Sequence, residues 1–425
     1  MKQKECYVGF PPLPSGDEIV HALVHDPPDI RWRVVRDLFR IKEAHEVEGL
    51  IRKLAPYLNQ VDDFRVKYRV TIALQALHHR ETREEYILVK GRGVVPRSDP
   101  SLPHPESGEA PEVLHEARIS PIVDFHIHPK MPDRRFFTDM KEAGVTHAVI
   151  LATDTDPADL DRREVVEKLR RNYEATVHSQ RVPLDRMLRQ IRASLYSPTH
   201  VTNHDVADWA KDYPDQLIAF GSVNLSKPRD YVEKTLDEIR RLRLRGIKLL
   251  PYAQFFDPSE NENVTLLFEY CREHGWIVLS HSGCGAGPFE ILELSRDANP
   301  ALWDPVLKKY PDVPLVLAHC GAYSSHVPGI WLAEAFRLGK THKNVYADLA
   351  AVDWLLDREI VVKEIRKTIG FDRILFGTDY PLPLTAGVSL SYLVGSLKAN
   401  RFLTEREKGK VLGQNAGRLL RLGFR

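Results

Sequence analysis

The chain has 425 residues, 43% hydrophobic and 28% charged, a balance that lets a globular protein bury a large core and a length that suits two or three domains. Sixty basic side chains face fifty-nine acidic ones, so no basic excess gathers phosphates and a dedicated nucleic-acid binder is excluded. No eighteen apolar residues run together, no signal-like stretch follows the N-terminus, and the cysteines (Cys6, Cys271, Cys284, Cys320) form no CxxC pair. The expectation is a cytoplasmic protein without a membrane span, a disulfide framework or a thiolate zinc site.

Residues 1–94 read as a helical domain. Val34, Val35, Leu38, Phe39 and Ile41 recur at three-to-four spacing, as do Val47, Leu50, Ile51, Leu54 and Leu58, and then Val66, Val70, Ala73, Leu74 and Leu77. Asp29-Ile30-Arg31-Trp32-Arg33 is echoed 34 residues on by Asp63-Phe64-Arg65-Val66-Lys67. That period suits a HEAT-like helical hairpin, with an independent small bundle as the alternative. Such a segment is also a candidate docking surface for a protein partner. Residues 95–117, rich in Pro, Ser and charge, read as a linker.

From residue 118 to 425, strand-length apolar runs alternate with helical patterns. The runs are 121–127, 145–152, 217–223, 246–250, 276–281, 314–319, 344–349 and 373–378. They are continuous rather than alternating, as strands buried on both faces of a parallel sheet must be. Helical patterns such as 231–244 and 262–274 lie between them. Eight such units predict an α/β fold, a (β/α)₈ TIM barrel with an N-terminal all-helical extension. An open doubly wound sheet ranks below it, because no Gly-rich phosphate fingerprint follows any strand. The gap 157–212 is long, charged and helical, and is expected to be an insertion, a lid or a subdomain over the barrel mouth.

Polar residues at four strand ends close these apolar runs. His126 and His128, in Asp124-Phe125-His126-Ile127-His128, share one side of a strand because side chains alternate with period two. His281 ends the fifth run, His319 the sixth and Asp379 the eighth. Each alone is unremarkable as a hydrogen-bonded histidine or a turn aspartate. A barrel gathers the carboxyl ends of its strands into one ring, so together they can hold one divalent cation. Zinc is the first expectation, with Mn²⁺ and Fe²⁺ as alternatives.

The ordered motifs IVDFHIH, RGIKLLPYAQFFDP, VLSHSG, LAHCGAY and LFGTDYP make residues 118–425 resemble the amidohydrolase superfamily. The resemblance is to its amidohydrolase-related branch, which includes aminocarboxymuconate semialdehyde decarboxylase-like enzymes. It implies His126, His128, His281 and Asp379 as metal ligands and His319 as a base that orients water, with Asp379 and His319 catalytic. It also makes a homodimer plausible. In some branches a strand-four lysine is carboxylated and bridges two metals, which would give Lys248 that role. The branch itself resembles single-metal enzymes, so one metal is expected.

Tyr252, Gln254, Tyr323 and Tyr380 follow strands four, six and eight and are candidates to bind a small-molecule substrate. Asp124 is expected to bond within the barrel floor or to orient a ligand imidazole. Three functions remain open. The first is hydrolysis of an amide, lactone or related bond by metal-activated water, with Asp379 moving the proton. The second is non-oxidative decarboxylation of an aromatic or unsaturated acid. The third is a helical docking protein with a secondary barrel.

Overall fold

The computed structural model describes residues 86–89, 93–96, 121–128, 134–180, 182–195, 201–324, 327–381 and 389–423. The chain divides into two compact units, Met1–Glu112 and Val113–Arg425. In the first, Tyr86–Val89 pairs antiparallel with Gly93–Pro96. These residues form a two-stranded ribbon where the sequence reading had the end of the helical domain and the start of the linker. The helices expected over the rest of 1–94 lie outside the described residues.

The second unit carries eight parallel strands: β1 Ile122–Ile127, β2 Val145–Leu151, β3 Leu217–Ser222, β4 Gly246–Leu249, β5 Ile277–Gly283, β6 Leu315–Tyr323, β7 Val345–Asp348 and β8 Ile374–Leu375. Each pairs with its sequence neighbour, as right-handed β/α units dictate. Closure comes from the residues after β8 running beside β1. Phe125 N donates to Phe376 O at 2.9 Å, Asp379 N to His126 O at 2.9 Å and His128 N to Tyr380 O at 2.8 Å. This is the (β/α)₈ barrel expected from the sequence. β5 and β6 run past the expected ends, because the register shifts after His281 and Gly283 then pairs with Tyr323.

Helices alternate with the strands: α1 Arg134–Ala143, α2 Arg163–Glu174, α3 Leu184–Leu195, α4 Asn203–Asp212, α5 Arg229–Arg241, α6 Glu262–His274, α7 Leu332–Thr341, α8 Glu359–Lys367 and α9 Leu390–Ala399. α4 starts on a capping box in which Thr202 and Asp205 satisfy each other's backbone N–H. α6 starts on Asn261 and stops at Gly275, whose φ of +66° reverses the chain. No described helix is long and apolar enough to cross a membrane.

The long segment 157–212 divides in two. α4 packs on β3 and serves as an ordinary barrel helix. α2 and α3 bury Val165, Leu169, Tyr173, Met187, Ile191 and Leu195 against Ala253 and Phe255 after β4 and Phe289, Ile291 and Leu294 after β5. Loops that follow strands lie at the carboxyl mouth of the barrel. The α2–α3 part of the insertion therefore packs at one side of that mouth. At the opposite end, the helical stretch Lys410–Leu419 packs beneath the strands, and Ala416 and Leu420 join the apolar cluster of Val123, Phe125, Phe220, Leu279 and Val316.

Candidate metal centre

β1 presents His126 and His128 to the same side, and their Nε2 atoms lie 3.2 Å apart. His126 is fully buried, and its Nδ1 meets Asp348 Oδ2 at 2.8 Å. A carboxylate accepts only, so Nδ1 carries the proton and the Nε2 lone pair is left facing the site. Asp348 also accepts from the amides of His319, at 2.7 Å, and Ala350, at 3.1 Å. It is the residue that the sequence reading missed. Its signal was present, a lone acid closing the apolar run of β7, but it belonged to no histidine pair and to none of the quoted motifs.

Asp379 follows β8 with φ +61°, a strained conformation for a non-glycine residue, held by its amide bond to His126 O. Its Oδ1 lies 3.5 Å from His126 Nε2 and 3.8 Å from His128 Nε2. The ligand atoms of His126, His128 and Asp379 all lie within 4.8 Å of one another, as do those of His126, His319 and Asp348. Burial first, then the nearby Lys248 charge, holds His126 and His128 well below the usual imidazole range, so both rings are neutral with a lone pair to give. Two neutral imidazoles and a carboxyl converging in this way fit a divalent cation.

His281 is drawn into neither of those groups. Its Nε2 lies 3.0 Å from the Cys284 carbonyl, and burial pushes the ring down to about 3. Its ring stands 4.7 Å from that of His319. His319 also has a left-handed backbone, φ +59°, and its Nδ1 bonds to Ala350 O at 2.7 Å, which turns Nε2 toward the site. Its ring lies 4.8 Å from His126 and 4.9 Å from Tyr323.

Lys248 on β4 is fully buried, with Nζ 2.9 Å from His126 Nε2. Burial lowers it to about 8, opposed by Asp348 and Asp379. Burial pushes the Asp379 carboxyl up to about 7, with Lys248 pulling the other way. Asp124 belongs to the floor: it accepts from Thr378 Oγ1 at 2.6 Å, Thr378 N at 3.0 Å and His126 N at 3.2 Å. It ties β1 to the turn before Asp379, while the imidazole of His126 is oriented by Asp348.

Of the expected substrate-binding residues, two reach the site. The Tyr252 ring stands edge-on to His281 at 4.8 Å, and Tyr323 lies against His319. Burial raises both phenols above their ordinary range, so both are hydroxyl donors. Gln254 does not reach it. Its amide is spent on Leu250 N, Asp154 O and Val223 O, which staples the β4 loop to β3. Tyr380 packs its ring on Phe136 of α1. Burial raises the Cys284 and Cys320 thiols, so both stay protonated.

The family model described as Amidohydrolase matches residues 123–422. A 2-amino-3-carboxymuconate-6-semialdehyde decarboxylase from Dictyostelium discoideum is 27% identical over 249 residues, 50% of this chain. The match covers 64% of that relative, less than two thirds of its length. Among solved structures, a TIM-barrel protein from Bordetella bronchiseptica matches with a TM-score of 0.51 and 20% identity over 71% of this chain and 98% of its own, a likeness of fold. A 5-carboxyvanillate decarboxylase from Sphingomonas paucimobilis matches with a TM-score of 0.45 and 13% identity over 71% of this chain and 99% of its own.

Proposed function

The chain belongs to the amidohydrolase family of metal-dependent enzymes, and from that premise we propose that it decarboxylates a small aromatic or unsaturated carboxylic acid without an oxidant. The observation that carries this reading is the decarboxylase relative, which moves decarboxylation ahead of the hydrolysis that motifs alone put first. His126, His128 and Asp379 would hold one divalent cation, with His281 as a fourth ligand. That cation, when bound, supplies a Lewis acid for substrate oxygens.

The chain's own residues supply the rest. Asp348 fixes the tautomer of His126 and so keeps its Nε2 lone pair aimed inward. Tyr252 and Tyr323 offer hydroxyls that can orient a carboxylate or a ring hydroxyl. The α2–α3 insertion excludes water from one side of the mouth. When the carboxyl group leaves as carbon dioxide, the electron pair of the broken C–C bond stays on carbon. A proton must fill it. Asp379, whose Oδ1 lies 3.5 Å from His126 Nε2, is the carboxyl placed to hold that proton and deliver it. His319, whose Nδ1 is bonded to Ala350 O, keeps Nε2 to accept from a substrate hydroxyl.

A second reading, hydrolysis, rests on the same Asp379, which would then take a proton from water. Isotopes separate the two. Protein purified without chelator, carrying about one equivalent of a transition metal, is incubated in D₂O with a panel of hydroxybenzoates and unsaturated acids. Carbon dioxide release with one deuterium at the vacated carbon is the expected result. Oxygen-18 from water entering the product of an ester, lactone or amide, with no carbon dioxide from any acid, overturns decarboxylation in favour of hydrolysis.

A further inference from the structure

Ser282 follows His281 on β5 and is buried, yet its hydroxyl serves the neighbouring strand. Oγ donates to Ala318 O at 2.5 Å and accepts from Gly321 N at 2.9 Å. Between those two partners β6 leaves its ladder. His281 pairs with Ala318 and Gly283 with Tyr323, so a two-residue step on β5 is matched by a five-residue step on β6. The surplus is taken up by a turn in which His319, Cys320 and Gly321 all have left-handed backbone, with φ of +59°, +52° and +70°. A non-glycine residue held there costs free energy, so two in succession must be fixed by bonds around them. At the third position a Cβ would stand 2.7 Å from the Trp331 carbonyl oxygen, which is why glycine ends the turn. From the other side β7 fastens His319 alone: its amide donates to Asp348 Oδ1, and its Nδ1 to Ala350 O. Ser282 spans the turn from entrance to exit, because a hydroxyl carries a donor and an acceptor on one atom. Without it, the buried Ala318 carbonyl and the buried Gly321 amide lose that partner, and the turn must reorganise to recover one.

We propose that Ser282 is a positioning residue: its hydroxyl holds the left-handed turn that aims the His319 imidazole into the site. The inference rests on the reading in which His319 accepts from a substrate hydroxyl, and it adds the group that keeps the imidazole in place. With its proton spent on the β6 backbone, Ser282 acts through His319 and not on the substrate. Small displacements of an accepting nitrogen are costly to catalysis, so a buried bond to the backbone that carries the ring is where such precision is set.

The test reads the imidazole directly. Full-length protein with nitrogen-15-labelled histidine is loaded with Zn²⁺ and recorded by NMR, and the His319 ring signals are assigned by their loss in His319→Gln. Wild type is expected to hold His319 in one tautomer, with Nδ1 protonated toward Ala350 O and Nε2 bare. Ser282→Ala should abolish that single pattern. The two ring nitrogens then average toward each other as the ring leaves Ala350 O, while zinc content and the His126 and His128 signals stay as they were. Should Ser282→Ala fail to fold, Ser282→Cys replaces the hydroxyl by a thiol, a weak donor and acceptor, and is read in the same way. A merely structural fastener would lower the denaturant midpoint and leave the His319 signals unchanged, and that result overturns the proposal. Loss of zinc together with the pattern overturns it too, because the hydroxyl would then be holding the whole metal centre. So does a wild-type His319 protonated on Nε2. No reading depends on carbon dioxide release, so failure here is distinguishable from failure of the decarboxylase reading.

Discussion

The two ends of the barrel are built on opposite principles. At the carboxyl ends of the strands, His126, Lys248, His281, His319 and Asp348 are buried together, and His319, Cys320 and Asp379 all take positive φ. Buried polar groups and left-handed backbone cost stability, and they persist where surrounding bonds over-determine them. At the amino ends the chain is sealed. Lys410–Gln414 lies under β1, Phe376 N donates to Val411 O, and the Asn415 amide donates to the carbonyls of Phe371 and Ile374. One end gathers the buried polar groups and the other supplies packing and backbone bonds that hold the strands.

The comparison is broken most severely at the carboxyl end through Asp348. Asparagine there keeps the shape but turns an N–H toward His126 Nδ1. The ring must then carry its proton on Nε2, which removes the lone pair from the site. Asp348→Asn is expected to weaken metal binding roughly 10–100-fold, measured by competition with a chromogenic chelator. The thermal midpoint of the metal-free protein should change little. Unchanged metal affinity would mean that His126 does not bind through the tautomer the geometry implies.

At the sealed end the effect should be reversed, with stability lost and chemistry spared. Gly413 lies so close to β1 that an added Cβ would stand 1.7 Å from the Pro121 carbonyl oxygen. No side chain can rotate away from a backbone atom, so the helical stretch must shift as a whole. Gly413→Ala is expected to cost about 1–3 kcal/mol by overpacking, read as a lower denaturant midpoint with metal stoichiometry unchanged. A loss of metal at full stability would mean that the two ends are not separable.

This division also explains what the sequence disclosed. The eight strands were legible because strands buried on both faces are continuous apolar runs, and β2 and β3 end within a residue of their expected bounds. His126, His128, His319 and Asp379 were legible because each interrupts such a run at its carboxyl end. Asp348 does the same in Tyr346-Ala347-Asp348-Leu349, but a single acid carries no pairing signal until the fold sets it against His126. Gln254 and Tyr380 show the converse. Both follow strands, yet loop geometry, which no periodicity encodes, turns Gln254 onto backbone groups and Tyr380 onto Phe136. The insertion was visible as charge and helix, but only packing separates α4, a barrel helix, from the α2–α3 pair at the mouth.

The smallest expected effect lies at the edge of the seal. Glu407 accepts Arg366 Nε at Oε1 and Nη2 at Oε2, both at 2.8 Å, which fastens α8 to the C-terminal stretch. Glu407 is also the acidic member of the capping box begun by Thr404. The Arg366 guanidinium pulls its carboxyl down from 4.5 to about 2, against the opposing effect of burial. A folded value below the unfolded one means that the contribution is complete above about pH 4.5 and is lost as pH falls toward 2. The pair is partly exposed and screened, so its worth is under about 1 kcal/mol. Glu407→Gln should therefore be slightly less stable than wild type at pH 7, and the difference should close between pH 4.5 and 2. A difference that persists unchanged to the acid end of that window would assign the loss to the cap's neutral hydrogen bonds rather than to the ion pair. Either outcome should leave metal binding untouched, because the seal and the site meet only through the strands between them.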